Sequence, residues 1–184
     1  MSIRIGPLQL PASSALLQDA DAHHLFVSYD FLGVHPARLE TPSEPRPSEA
    51  GALPFDHYMR FCFDLEEDPG DEVAGGAALR KALKAVAKTI KRDKRYILSF
   101  EVVSEPFEEE AAHVSCRTVG VAFVDLARLL AQQQDMEQED VAVLNPDDPD
   151  APPLGTLQLS VQVKDALGHL LRRKSRSSGP APTA

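Results

Sequence analysis

The stretch "TLQLSVQV", Thr156 to Val163, sets Leu157, Leu159, Val161 and Val163 against Gln158, Ser160 and Gln162. Successive side chains of an extended chain point to opposite faces, so this strict alternation predicts a strand with one buried and one wet face. Three more stretches upstream repeat it. In "LFVSYDFL" the apolar series is Leu25, Val27, Tyr29 and Phe31; in "YMRFCFDL" it is Met59, Phe61, Phe63 and Leu65; in "YILSFEVV" it is Tyr96, Leu98, Phe100 and Val102. Four half-buried strands separated by turn-forming residues imply stacked antiparallel sheets.

Weaker patterns extend the series. Ile3 and Ile5 alternate up to Gly6-Pro7, a pair that predicts a bulge or an edge position because proline has no N–H for a ladder. "TVGVAFV", residues 118–124, is apolar on both faces and reads as a central strand, and "EDVAVL", residues 139–144, as a short one. Some seven strands read as a β-sandwich. Two segments have helical spacing instead. "ALRKALKAVAKTIKR" aligns Leu79, Leu83, Val86 and Ile90, and "DLARLLAQQQ" starts at a capping Asp125 and groups Leu126, Leu129 and Leu130. "DALGHLLRRK" is a third, short terminal candidate weakened by Gly168. Residues 33–54 hold Pro36, Pro42, Pro45, Pro47 and Pro54, so they are expected to form a long extended loop barred from a central ladder position. "NPDDPDAPP" reads as a second proline-broken connector, and the chain beyond 172 as a disordered tail over 173–184.

Composition narrows the function classes. With 28 acidic and 19 basic residues the formal charge is -9, which argues against nucleic-acid binding, an affinity built largely on neutralising phosphates. The most apolar window, "VGVAFVDLARLLA", is interrupted by Asp125 and Arg128 and is shorter than the ~20 residues of a spanning helix, so a soluble protein is expected. The start "MSIRIGPLQL" has no basic leader followed by an apolar run. With Cys62 and Cys116 the only cysteines, a reducing compartment is expected.

Chemistry-bearing motifs are sparse. There is no phosphate-binding glycine loop, no G-x-S-x-G elbow and no H-E-x-x-H, so no catalytic residue is assigned. Adjacent His23 and His24 would point to opposite faces of a strand and could not share one metal. Calcium needs roughly 6 to 8 converging oxygens, normally from facing loops. Glu105, Glu108, Glu109 and Glu110 occupy one loop without an Asp-x-Asp pattern, so neither a metal nor a cofactor is expected. Their ordinary reading is a loop kept wet by its charges, after a strand stopped by Pro106. Eight of the 19 bases fall between Arg80 and Arg95. Two readings of that segment stand open: a helix docked by its leucines with solvated lysines, or a contact for an anionic membrane or acidic partner.

The order of several pieces carries a resemblance. Tyr29-x-Phe31 followed by Glu40-Thr41-Pro42, then Val102-Val103-Ser104-x-Pro106 with its acids, then Pro153-Leu154-Gly155-x-Leu157 resembles the C-terminal RPGR-interacting domain of the retinitis pigmentosa GTPase regulator-interacting protein and protein fantom family, over most of residues 2 to 172. The resemblance implies an all-β fold, a C2-type antiparallel β-sandwich of about eight strands with one or two inserted helices and without calcium ligands. One interaction domain over 1–172 is expected, containing the proline-rich loop 33–54 and an inserted basic helix 77–92 that is longer and more regularly helical than the corresponding part of the family. The resemblance further implies a non-enzymatic ciliary scaffold that binds the β-propeller of an RPGR-like protein at the transition zone or basal body, with a NIMA-related kinase as a second partner in the fantom branch. The alternative is a lipid-binding C2 domain that uses the basic helix. Four outward lysines at roughly 1 kcal/mol each near an anionic surface would give only about millimolar attraction. The resemblance places no contact residues. On charge alone, the partner-binding candidates are Glu105, Glu108, Glu109, Glu110, Lys84, Lys88, Arg172 and Arg173.

Overall fold

A computed structural model describes residues 1–63, 67, 71–93, 95–106 and 115–166. The strands are β1 (Ser2–Leu10), β2 (His24–Tyr29), β3 (Glu44–Pro45), β4 (Gly51–Leu53), β5 (His57–Phe61), β6 (Val73–Ala74), β7 (Ile97–Glu105), β8 (Arg117–Asp125), β9 (Met136–Val143) and β10 (Gly155–Gln162), with helices α1 (Ala77–Asp93) and α2 (Leu126–Gln132). They form a β-sandwich. One sheet runs β6-β5-β1-β10-β9, with β4 also paired to β1, and the other runs β3-β2-β7-β8.

The alternating residues make the core. Leu157, Leu159, Val161 and Val163 from β10 and its end are buried, as are Leu25, Val27, Tyr29, Met59, Phe61, Leu98, Phe100 and Val102. Phe31 meets Phe61 edge-on at 5.1 Å between ring centres, and Tyr29 packs on Phe100 at 5.2 Å. Phe63 is half-buried against the same core, while Asp64 and Leu65 lie outside the described residues.

Of the two readings of Gly6-Pro7, the bulge is the one that forms: β1 holds both β10 and β5, and its register slips between Ile5 and Leu8, where proline's missing N–H does no harm. Other expectations need correction. The apolar 118–124 segment is no central strand. As β8 it is the margin of the four-stranded sheet, and beyond it Val121 and Leu144, just past β9, exchange two hydrogen bonds of 2.9 Å. The short strand at 139–144 is longer, beginning at Met136 across a bulge in which Gln138 takes φ 49° and donates its N–H to Ser160 Oγ at 2.9 Å. The additional strands arise chiefly in the proline-rich loop, whose two- and three-residue β3 and β4 occupy sheet margins, as proline content allows. One pairing, β5 with β6, is parallel.

Both helical segments form. α1 buries Leu79, Leu83, Val86, Ala87 and Ile90 in the common core. α2 starts at Asp125, whose Oδ1 accepts the N–H groups of Ala127 at 2.9 Å and Arg128 at 3.1 Å, and stops at Gln133 in the left-handed conformation. The third helical candidate lies outside the described residues from Leu167 on, as does the tail. No helix among the described residues is long and apolar enough to cross a membrane.

Candidate interaction site

The pieces that carry the sequence resemblance have definite work in the sandwich. Thr41 is buried at the margin of β2: its N–H donates to Val27 O at 2.9 Å, and its Oγ1 accepts the Val27 N–H at 2.9 Å. Tyr29 N–H donates to Leu39 O at 3.2 Å, so residues 39–41 act as a further edge for β2. Arg46 holds the rest of that loop by donating to the carbonyls of Ala22 and, at 2.6 Å, Leu17. In the β7 motif, buried Ser104 donates its hydroxyl to Asp21 O at 3.3 Å. Leu154 is buried and donates its N–H to Val143 O at 2.8 Å, while Gly155 lies so close to β1 that a Cβ there would sit 2.2 Å from Gln9 O.

The charged candidates are distributed over separate places. Lys84 and Lys88 are exposed on the side of α1 away from its buried leucines. Glu105 is half-buried at the end of β7, opposite His24. Among the described residues no hydrogen bond or ion pair joins these three. Glu108, Glu109, Glu110, Arg172 and Arg173 lie outside the described residues. The described His, Cys, Asp and Glu side chains form no group of three or more able to hold a metal. Cys62 is half-buried and Cys116 exposed, both as free thiols.

Charge counting missed the outer face of the four-stranded sheet. Three large apolar residues stand exposed among those described: Tyr58, Ile97 at 49% and Phe123 at 51%. On β7 and β8, Ser99 pairs with Phe123 and Ile97 with Asp125, so Ile97 and Phe123 are diagonal neighbours on one face. Val121 continues that face half-buried, opposite Glu101. A pocket of about 210 Å³ follows, lined by Ser28, Asp30, Val34, Pro36, Glu40 and Glu101. Thr118 Oγ1 donates to Glu101 Oε2 at 2.8 Å. Burial first, and the Asp30 charge second, raise the pKa of the Tyr96 phenol. A signal existed in the sequence, since the alternation that buries Leu98 and Phe100 puts Ile97 on the wet face with Ser99 and Glu101.

Two stacked sheets with inserted helices, sealed by buried aliphatic and aromatic rows, define an all-β sandwich domain. Residues 1–173 match the family described as retinitis pigmentosa G-protein regulator interacting C-terminal, and the chain belongs to that family. It is 27% identical over 167 residues to the X-linked retinitis pigmentosa GTPase regulator-interacting protein 1 of Bos taurus, covering 91% of this chain and 13% of the relative. The Homo sapiens protein of the same name is 26% identical over 167 residues, with 91% and 12% covered. The chain therefore spans about an eighth of the length of these relatives.

Proposed function

We propose that this chain is a non-enzymatic protein-binding domain whose partner is a retinitis pigmentosa GTPase regulator or a protein like it, held through its β-propeller. The observation that carries the reading is the family match across residues 1–173, together with relatives named for interaction with that regulator. Residues 1–172 form the C2-type, calcium-independent binding unit of a scaffold working at the ciliary transition zone or basal body, and 173–184 form its tail. Glu105, Glu108, Glu109, Glu110, Lys84, Lys88, Arg172 and Arg173 serve as polar rim contacts, where single charges contribute modestly. A NIMA-related kinase is the second partner to try.

Isothermal titration against the regulator's propeller from the same organism tests this directly. Saturable heat at tens of micromolar is expected, and a flat titration counts against the reading. The exposed Lys84 and Lys88 of α1 favour one other reading, a lipid surface. Co-sedimentation with anionic vesicles that is abolished by K84E/K88E would support it; the marginal attraction of so few cations predicts little pelleting.

A further inference from the structure

The outer face of the four-stranded sheet combines features that the rest of the described surface does not. Single exposed apolar residues are ordinary on soluble proteins. Here two of the three adjoin, with half-buried Val121 extending them along β8. Neither helix covers them: α1 turns its apolar side into the core, and Phe123 and Ile97 remain about half exposed. The neighbouring pocket is lined by three carboxylates, Asp30, Glu40 and Glu101, and by no basic residue. Such a face repels an anionic membrane and favours a positive protein surface bearing an apolar side chain.

We propose that the β2-β7-β8 outer face is the docking surface of this domain, and that it takes a basic protein segment which sets an apolar side chain against Ile97 and Phe123 and an arginine or lysine against Glu101, Asp30 and Glu40. The proposal rests on the reading of the chain as a binding domain and names the surface and the partner chemistry. Apolar residues at the centre supply most of the affinity, and the carboxylates set the register and orientation of the incoming segment.

The test has two arms. In the first, the regulator's propeller is titrated with the wild-type chain and with Phe123→Ser, Glu101→Lys and the control Tyr58→Ser on the opposite sheet, each checked for an unchanged melting temperature. Weakening of tenfold or more by the first two, with less than twofold for the control, is expected. Wild-type affinity in both would overturn the docking surface and leave the binding-domain reading intact. In the second arm, ¹⁵N-labelled chain is titrated with a synthetic peptide alternating arginine and leucine, and with its glutamate counterpart. Shifts centred on Ile97, Ser99, Glu101 and Phe123 with the arginine peptide only are expected, even if the regulator itself fails to bind. Shifts elsewhere, shifts with both peptides, or none would overturn the proposal. So would a concentration-dependent dimer in sedimentation that Phe123→Ser abolishes, because the occupant would then be a second copy.

Discussion

The outer faces of the two sheets differ in what stands beside their charged groups. On the six-stranded sheet a groove of about 520 Å³ is lined by Ser2, Arg4, Glu137, Gln138, Ser160 and Gln162 beside Tyr58. Its groups pair locally: Arg4 holds Asp56 at 2.9 Å, and Ser2 Oγ donates to Gln162 Oε1 at 2.9 Å. That ion pair is 55% and 69% exposed and adds little stability, yet it uses up charge that a partner would otherwise meet. On the four-stranded sheet the acids gather in one pocket and the apolar side chains stand beside them uncovered. A surface is suited to recognition when apolar side chains stand uncovered beside its charges, which is a different property from being highly charged. The lysines of α1 are numerous and spread around a helix; the carboxylates Asp30, Glu40 and Glu101 are few and line one pocket.

The contrast extends inward, and substitutions test it in descending order of effect. Gly155 in the six-stranded sheet lies against backbone, 2.2 Å from Gln9 O for an added Cβ, whereas the same atom at Gly120 in the four-stranded sheet would meet the Val143 Cγ1 side-chain carbon at 2.6 Å. Backbone inside a ladder cannot yield without breaking hydrogen bonds, so Gly155→Ala is expected to cost about 3 kcal/mol or more. Gly120→Ala should cost about 1–2 kcal/mol, because Val143 can shift. Urea midpoints rank the two, and equal losses would mean that the seam between β8 and β9 is as rigid as the β1–β10 ladder.

Asp125→Ala comes next, removing the acceptor for two N–H groups at the start of α2, at a cost of about 1 kcal/mol. Thermal melting reads it, and a change within error would show that packing of Leu126 and Leu129 alone holds that helix. Smaller still is Tyr29→Phe. The buried Tyr29 hydroxyl has no hydrogen-bond partner among the described residues, and burial pushes its pKa well above the ordinary range. Deleting it should be neutral or stabilise by up to about 1 kcal/mol, and a loss on the same melts would reveal a partner for the hydroxyl.

The ring facing Tyr29 from the six-stranded sheet is His57, 6.0 Å away and edge-on. Burial lowers its pKa, against the opposing pull of Asp56 and Glu72. A histidine whose folded pKa lies below its unfolded value of about 6.5 leaves the unfolded chain binding more protons at mildly acidic pH. Its contribution to stability is therefore whole above about pH 7 and falls as the pH drops toward the folded pKa. Urea midpoints at pH 7.5 and 5.5 should show a decline that His57→Leu reduces; an unchanged slope would assign the pH dependence to other groups.

Much of this fold was legible because period-2 burial is a local property. Leu157 through Val163 have one inward face whichever strands flank them, and the leucine stripe of α1 reads the same way. Strand position was less legible. β8 is apolar on both faces, the pattern of a central strand, and yet lies at a margin, because an outward Phe123 open to solvent looks the same in sequence as one covered by a layer. Runs such as Glu108 to Glu110 stand out in sequence by adjacency, while Asp30, Glu40 and Glu101 are dispersed along the chain and become one pocket through strand pairing.

By itself, the amino-acid order determined which side chains turn inward, where the helices begin and stop, and which family the chain resembles, since each rests on interactions among residues close in sequence or on the ordered series of motifs. Only the tertiary structure decided which strands became neighbours, that Gly6-Pro7 is a bulge inside a sheet, and that one outer face keeps exposed apolar residues beside a pocket lined by acids. Those outcomes depend on contacts between segments tens of residues apart, whose energies exist only once the two sheets have closed on each other.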